Sequence, residues 1–159
     1  DIGQIEVRGP NVFIGYWNMP EKTREELRDD GFFITGDLGR IDEHGYLQIV
    51  GRNKDLIISG GYNIYPKEIE LVLDEQPGVL ESAVIGAPHP DFGESVIGIL
   101  VADGSQPVDI EAIEADLGKT LARFTQPRKL ILVESLPRNT MGKVQKNILR
   151  DEFGSTFQG

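Results

Sequence analysis

The chain holds 159 residues, enough for one good core or a small domain plus a piece of another, and 39% of them are hydrophobic. Its formal net charge of −10 argues against nucleic acid or an anionic membrane surface as a partner, and the lack of cysteine excludes disulfides and thiolate metal sites. No apolar run nears the length of a membrane span, so the composition predicts a soluble globular protein suited to a reducing cytoplasm.

Asp1-Ile2-Gly3 leads directly into a strand-like stretch over residues 4–8, and the chain reads as a piece of something longer. Tyr16-Trp17-Asn18-Met19-Pro20 then introduces a short acidic helix over 21–28. A hairpin follows, with arms near 32–41 and 46–50. Its turn is Asp42-Glu43-His44-Gly45, where Gly45 can take a positive φ. After Gly51-Arg52 a tight hairpin is expected over 56–64, turning at Ser59-Gly60-Gly61. Pro66 suits the first turn of a helix that lines up Ile69, Val72 and Leu73.

Strands are predicted over 82–86 and 96–102, joined through Pro88-His89-Pro90-Asp91-Phe92-Gly93. Asp109 caps a helix that buries Ile110, Ile113, Leu117 and Leu121 at helical spacing. Pro127 bars further helix, and Leu130-Ile131-Leu132-Val133 reads as a buried strand. Last comes the loop Pro137-Arg138-Asn139-Thr140-Met141-Gly142, from which Lys143 opens a helical pattern with Val144 and Ile148 on one face. The predicted fold class is α+β. A small C-terminal domain over 53–159, a short β-sheet flanked by helices, follows a β-rich end piece over 1–52.

Four places carry candidate chemistry. Lys143, delivered by a proline- and glycine-shaped loop, suits a phosphate or carboxylate oxygen; a surface lysine after a turn is the plain alternative. In Thr35-Gly36-Asp37, at the end of a strand-like run, Asp37 could accept hydrogen bonds from vicinal hydroxyls or simply cap a turn. Gly51-Arg52-Asn53-Lys54-Asp55 offers Arg52 to ribose or phosphate, or to a plain interdomain salt bridge. Ser59-Gly60-Gly61 is either a hairpin turn or bare backbone along which a slim ligand passes. Residues 123–150 hold seven basic side chains against one acid, Glu134, which makes either a solvated face or a surface for a small polyanion. His44 and His89 sit in predicted turns without partners at ligand or triad spacing, and no metal ligand set is expected.

Together and in this order, the motifs closely resemble the adenylate-forming superfamily of acyl-CoA synthetases, luciferases and peptide-synthetase adenylation domains. The matching stretches are Gly15 through Thr23, Phe33-Ile34-Thr35-Gly36-Asp37-Leu38, Gly51 through Asp55, Ser59 through Glu70, and Pro137 through Lys143. Ile57-Ile58-Ser59-Gly60-Gly61 resembles the acyl-CoA ligases. Asp29-Asp30-Gly31-Phe32-Phe33 and Asn139 through Lys146 look most like malonyl-CoA synthetases.

The resemblance implies an ATP-dependent acid–CoA ligase that passes through an acyl-adenylate. Residues 1–52 would end the large N-terminal domain, and the C-terminal domain would swing about a hinge near Lys54. Lys143 would be catalytic in adenylation, Asp37 and Arg52 would hold ATP or AMP, and Ser59, Gly60 and Gly61 would line the coenzyme A tunnel. The implied partners are a small carboxylic acid, most simply malonate, with ATP, coenzyme A and Mg2+ held mostly by phosphates and residues outside this stretch. The rest of the N-terminal domain would be needed for activity, so the stretch is expected to be inactive alone. The resemblance further implies that Lys143 is open to reversible acylation, which would cancel its charge. A fatty or aromatic acid as substrate, and a non-catalytic docking module, are the alternative readings.

Overall fold

The computed structural model describes residues 1–158 and resolves two compact units, Asp1–Lys54 and Asp55–Gly159. In the first, β1 (Gly3–Val7), β2 (Phe33–Ile41) and β3 (Leu47–Arg52) form an antiparallel sheet in chain order. Helix α1 (Pro20–Glu26) starts on its proline, as the missing N–H allows. It stops short of the expected 28 because Leu27 turns extended and bridges to Phe33, around a tight turn in which Gly31 takes a φ of 84°. Strand β2 carries an irregularity opposite β1, pairing Leu38 with Gln4 but Ile34 with Glu6. Gly36, with a φ of 76°, lies inside it, so Asp37 sits mid-strand and not at a strand end.

The second unit is built on a five-stranded sheet. Strand β7 (Gly93–Ala102) lies at its centre and pairs antiparallel with β6 (Val79–His89) along its length. On its other side β7 meets β4 (Ile57–Ser59) at Gly93. Further along it pairs parallel with β8 (Lys129–Val133) over Ile97–Val101. Strand β5 (Tyr62–Ile64) flanks β4. The parallel pair needs a crossover, which α3 (Ile110–Thr120) supplies. Strands β6 and β7 run longer than the sequence suggests: Pro88 still aligns with Glu94, leaving only Pro90-Asp91-Phe92 as loop.

Alternation along β6 sends Val84 to one face and Ala83 and Ile85 to the other. On the first face Val84 and Leu100 pack under Ile69 and Leu73 of α2 (Pro66–Asp74) and Ile113 and Leu117 of α3. On the second, Ile85, Ile97 and Ile99 meet Leu149 of α4 (Lys146–Phe153). Each such fully buried side chain contributes roughly 1.5–3 kcal/mol. Both faces are covered, which is why 96–101 reads as an apolar run interrupted only by Gly98. A Cβ at Gly98 would lie 2.6 Å from Leu130 Cδ2, so glycine lets β8 and α2 close on the sheet there.

Helix α4 begins at Lys146, not at Lys143. Val144 is drawn out of the helix by a bridge to Arg138, and Gln145 donates to the Pro137 carbonyl at 2.8 Å. Val144 therefore packs on the second core from an extended backbone, while Ile148 stays partly exposed on the helix.

Candidate functional site

In the first unit, Asp37 and Arg52 face each other in register across β2 and β3, with Arg52 Nε 3.0 Å from Asp37 Oδ1. Thr35 sets the local geometry: its hydroxyl donates to the Ile5 carbonyl at 2.8 Å and accepts from the Asp37 N–H at 3.1 Å. A carboxylate and a guanidinium are thus presented side by side from a pinned bulge. Arg52 is ion-paired, but not between domains: its partner is Asp37, the other candidate residue, in the same unit. Lys54 lies exposed in a 3-10 turn, Asn53–Asp55, and the next residue, Asp55, is held by Arg150 Nη2 at 2.8 Å.

In the second unit, Ser59 and Tyr62 pair across a two-residue turn in which Gly60 and Gly61 take φ of 56° and 83°. Positive φ at both central positions is the demand of a type I′ turn, so the hairpin alone accounts for both glycines. The turn is also tied sideways, the Gly60 N–H donating to the Phe92 carbonyl at 2.9 Å. The glycines then part ways: Ser59 and Gly60 line a cavity of about 180 Å³, whereas Gly61 opens to solvent.

The cavity walls come from three further segments. Tyr62 stacks on Phe124 with ring centroids 4.5 Å apart, and the Arg128 guanidinium lies 4.3 Å above the Phe92 ring, with Arg123 close by. Sequence reasoning did not single out this aromatic–arginine group. Arg123 and Arg128 were visible only as members of a basic run, and Tyr62 only as a neighbour of the glycines.

That basic run divides into two kinds. Arg138 pairs with Glu81, Lys146 with Glu70 at 2.6 Å, and Arg150 with Asp55, so three of the seven cations are structural. Among the described residues Arg123, Arg128, Lys129 and Lys143 have no carboxylate at ion-pair distance. Lys143 is exposed at the close of its loop. Its own N–H and that of Met141 donate to Asn139 Oδ1 at 2.9 and 3.0 Å, and its carbonyl accepts from the Asn139 N–H at 2.9 Å. The backbone under the ammonium is fixed while the ammonium stays uncommitted.

His89 has a packing role, its ring set between Phe92 and Phe157 and its Nδ1 accepting from the Asp91 N–H at 3.1 Å. His44 is exposed beside Glu43. Among the described residues no three histidine or acidic side chains gather as metal ligands do, and no helix is long and apolar enough to cross a membrane.

Residues 68–143 match the profile of the AMP-binding enzyme C-terminal domain. The chain is 45% identical over 154 residues to the long-chain-fatty-acid–CoA ligase FadD13 of Mycobacterium tuberculosis, spanning 97% of this chain and 30% of that protein. It is 43% identical over 160 residues to the malonate–CoA ligase of Arabidopsis thaliana, spanning 94% of this chain and 26% of that one. Among solved structures, ATP-bound MatB from Rhodopseudomonas palustris superposes with a TM-score of 0.91 at 60% identity, covering 99% of this chain and 31% of MatB. The chain therefore spans about 30% of the length of the relatives it matches.

Proposed function

We propose that this chain, whose residues 68–143 belong to the AMP-binding enzyme C-terminal domain family, is the C-terminal part of an AMP-forming acid–CoA ligase. In the first step a substrate carboxylate oxygen attacks the α-phosphorus of ATP, and the bond to pyrophosphate breaks. In the second the thiol of coenzyme A attacks the acyl-adenylate carbonyl carbon, and AMP leaves. The observation that carries this reading is the Lys143 loop, an uncommitted cation on a hydrogen-bonded backbone. Such a charge stabilises an anionic transition state without reorganising, which makes Lys143 an electrostatic catalyst of adenylation and not a proton donor.

The remaining candidate residues take complementary roles. Asp37 accepts from the ribose hydroxyls, with Arg52 beside it to orient the carboxylate and reach ribose or phosphate; their 3.0 Å contact supports this division. Ser59 and Gly60 line the path for coenzyme A. The unpaired Arg123 and Arg128 at the same cavity supply planar donors suited to its phosphates. Lys54, at the junction of the two compact units, is the hinge. Mg2+ arrives with ATP and is held mostly by the phosphates. The residues that would grip the acid are not in this stretch, so it is inactive by itself.

Malonate is the preferred acid, supported by the motif wording around Asp30 and Asn139 and by the identity to a malonate–CoA ligase. The comparable identity to a fatty-acid ligase supports a long-chain acid as the second reading. The test is pyrophosphate release by the full-length enzyme with ATP and coenzyme A, across malonate, methylmalonate, acetate, a fatty acid and an aromatic acid. Turnover with malonate, abolished by Lys143→Ala, is the expected result. Turnover with another acid alone discards malonate, and turnover indifferent to Lys143 discards the catalytic reading. Lys54→Pro should slow thioester formation while sparing adenylation, and unchanged rates in both steps would remove the hinge.

A further inference from the structure

The Lys143 loop is tied to the sheet through one of its own side chains. Arg138 Nη1 donates to the Gly142 carbonyl at 2.6 Å, and its Nη2 is paired with Glu81 on β6. The guanidinium thus spans from the central sheet to the peptide immediately before Lys143. Around it, Asn139 grips the Lys143 N–H and carbonyl from inside the loop, and Arg138 bridges back to Val144. The loop's internal bonds fix its shape, but they cannot fix where that shape sits relative to the sheet. Of the contacts described, only the Glu81–Arg138–Gly142 relay does so with charged partners. A planar guanidinium serves two acceptors at once, which an ammonium on a flexible stem does with far less geometric control.

We propose that Arg138 is a positioning residue for adenylation, oriented by Glu81, which sets the place of the Lys143 ammonium without touching substrate. The proposal rests on the catalytic reading of Lys143. A charge that stabilises a transition state must be placed closely, since a displacement of about 1 Å at a reacting centre can cost on the order of 100-fold in rate. Lys143 is exposed, so nothing but its backbone fixes the origin of its side chain.

The experiment uses the full-length enzyme and separates the half-reactions: ATP–pyrophosphate exchange for adenylation, and thioester formation from preformed acyl-adenylate. Arg138→Ala should lower the kcat of exchange by about 10- to 100-fold. The KM for ATP and the rate from preformed adenylate should change little. Because the loss acts through Lys143, Arg138→Ala should cost almost nothing further in a Lys143→Ala background. Arg138→Lys should recover only part of the rate.

If Arg138→Ala fails to fold, Glu81→Gln, which keeps the shape and removes the charge, should show the same selective loss more weakly. Equal losses in both half-reactions, or losses that add to those of Lys143→Ala, would show a merely structural residue. If Lys143→Ala cripples exchange and Arg138→Ala does not, the relay falls while the Lys143 reading stands. If Lys143→Ala leaves exchange intact, both fall.

Discussion

Within Asp1–Lys54, Leu38 and Val50 are the only buried apolar side chains, while Ile14, Trp17, Ile41, Tyr46, Leu47 and Ile49 are exposed. Within Asp55–Gly159 the sheet has a dry core on each face, one under α2 and α3 and one under α4. Both units contain apolar strands, so hydrophobic content does not separate them. What separates them is whether a second layer from the same unit covers the sheet. A sheet with one uncovered apolar face recovers little of the entropy that ordering it costs. Among the described residues of the second unit, Arg138, Lys146 and Arg150 are tied to acids of other elements and support the fold, whereas Arg123 and Arg128 at the cavity and Lys143 at its loop pair with none.

Excision is the strongest test of this contrast. Residues 55–159 alone should unfold in one cooperative thermal transition by circular dichroism, and residues 1–54 alone should show none. A cooperative melt of the smaller piece would break the comparison.

Next comes the ion pair beneath α4. Glu70 Oε1 accepts from Lys146 Nζ at 2.6 Å and from the Val84 N–H at 3.0 Å, and both side chains are largely buried. Lys146→Ala strands a buried carboxylate and should cost about 3–5 kcal/mol in denaturant unfolding. Cutting the exposed Arg28–Glu6 pair of the first unit by Arg28→Ala should cost about 0–1 kcal/mol.

Leu100→Ala, at a fully buried site on β7, should cost about 2–5 kcal/mol by cavity formation. Ile49→Ala, on the exposed face of β3, should stay within about 0.5 kcal/mol. Similar values for the two would mean that Ile49 is covered in solution.

The smallest effect concerns pH. Tyr16 Oη donates to Glu26 Oε2 at 2.5 Å, which holds the Glu26 carboxyl below and the Tyr16 hydroxyl above their usual values. Glu26, with its folded value lowered, adds stability above the ordinary carboxylate range, lost as pH falls through the lowered value. Tyr16, with its folded value raised, adds stability below the ordinary tyrosine range, lost as pH rises through the raised value. Tyr16→Phe should therefore flatten both slopes in a melting-temperature series, with little change near neutrality in their shape. Unchanged slopes would show that the bond does not persist in solution.

Much of the architecture was legible because local rules and the fold agree. Pro20 and Pro66 open helices where proline is tolerated, Asp109 caps α3 through the Ala112 N–H at 3.1 Å, and Gly45 closes its turn with a positive φ. The errors came where a non-local bond overruled a local pattern. Val144 and Ile148 are spaced for a helix face, but the bridge to Arg138 takes Val144 out of it. Asp37 follows a glycine and reads as a strand end, but pairing on both sides of β2 carries the strand through.

By itself the sequence determined the order of elements, the turn glycines and the family of motifs, because these depend on spacing along the chain and on backbone freedom. Only the tertiary structure decided which cations are spoken for, that Gly60 and not Gly61 lines the cavity, and that Arg123, Arg128, Tyr62, Phe92 and Phe124 converge there. Charge neutralisation and cavity walls depend on distances between residues far apart in the chain, and strand pairing brings them together.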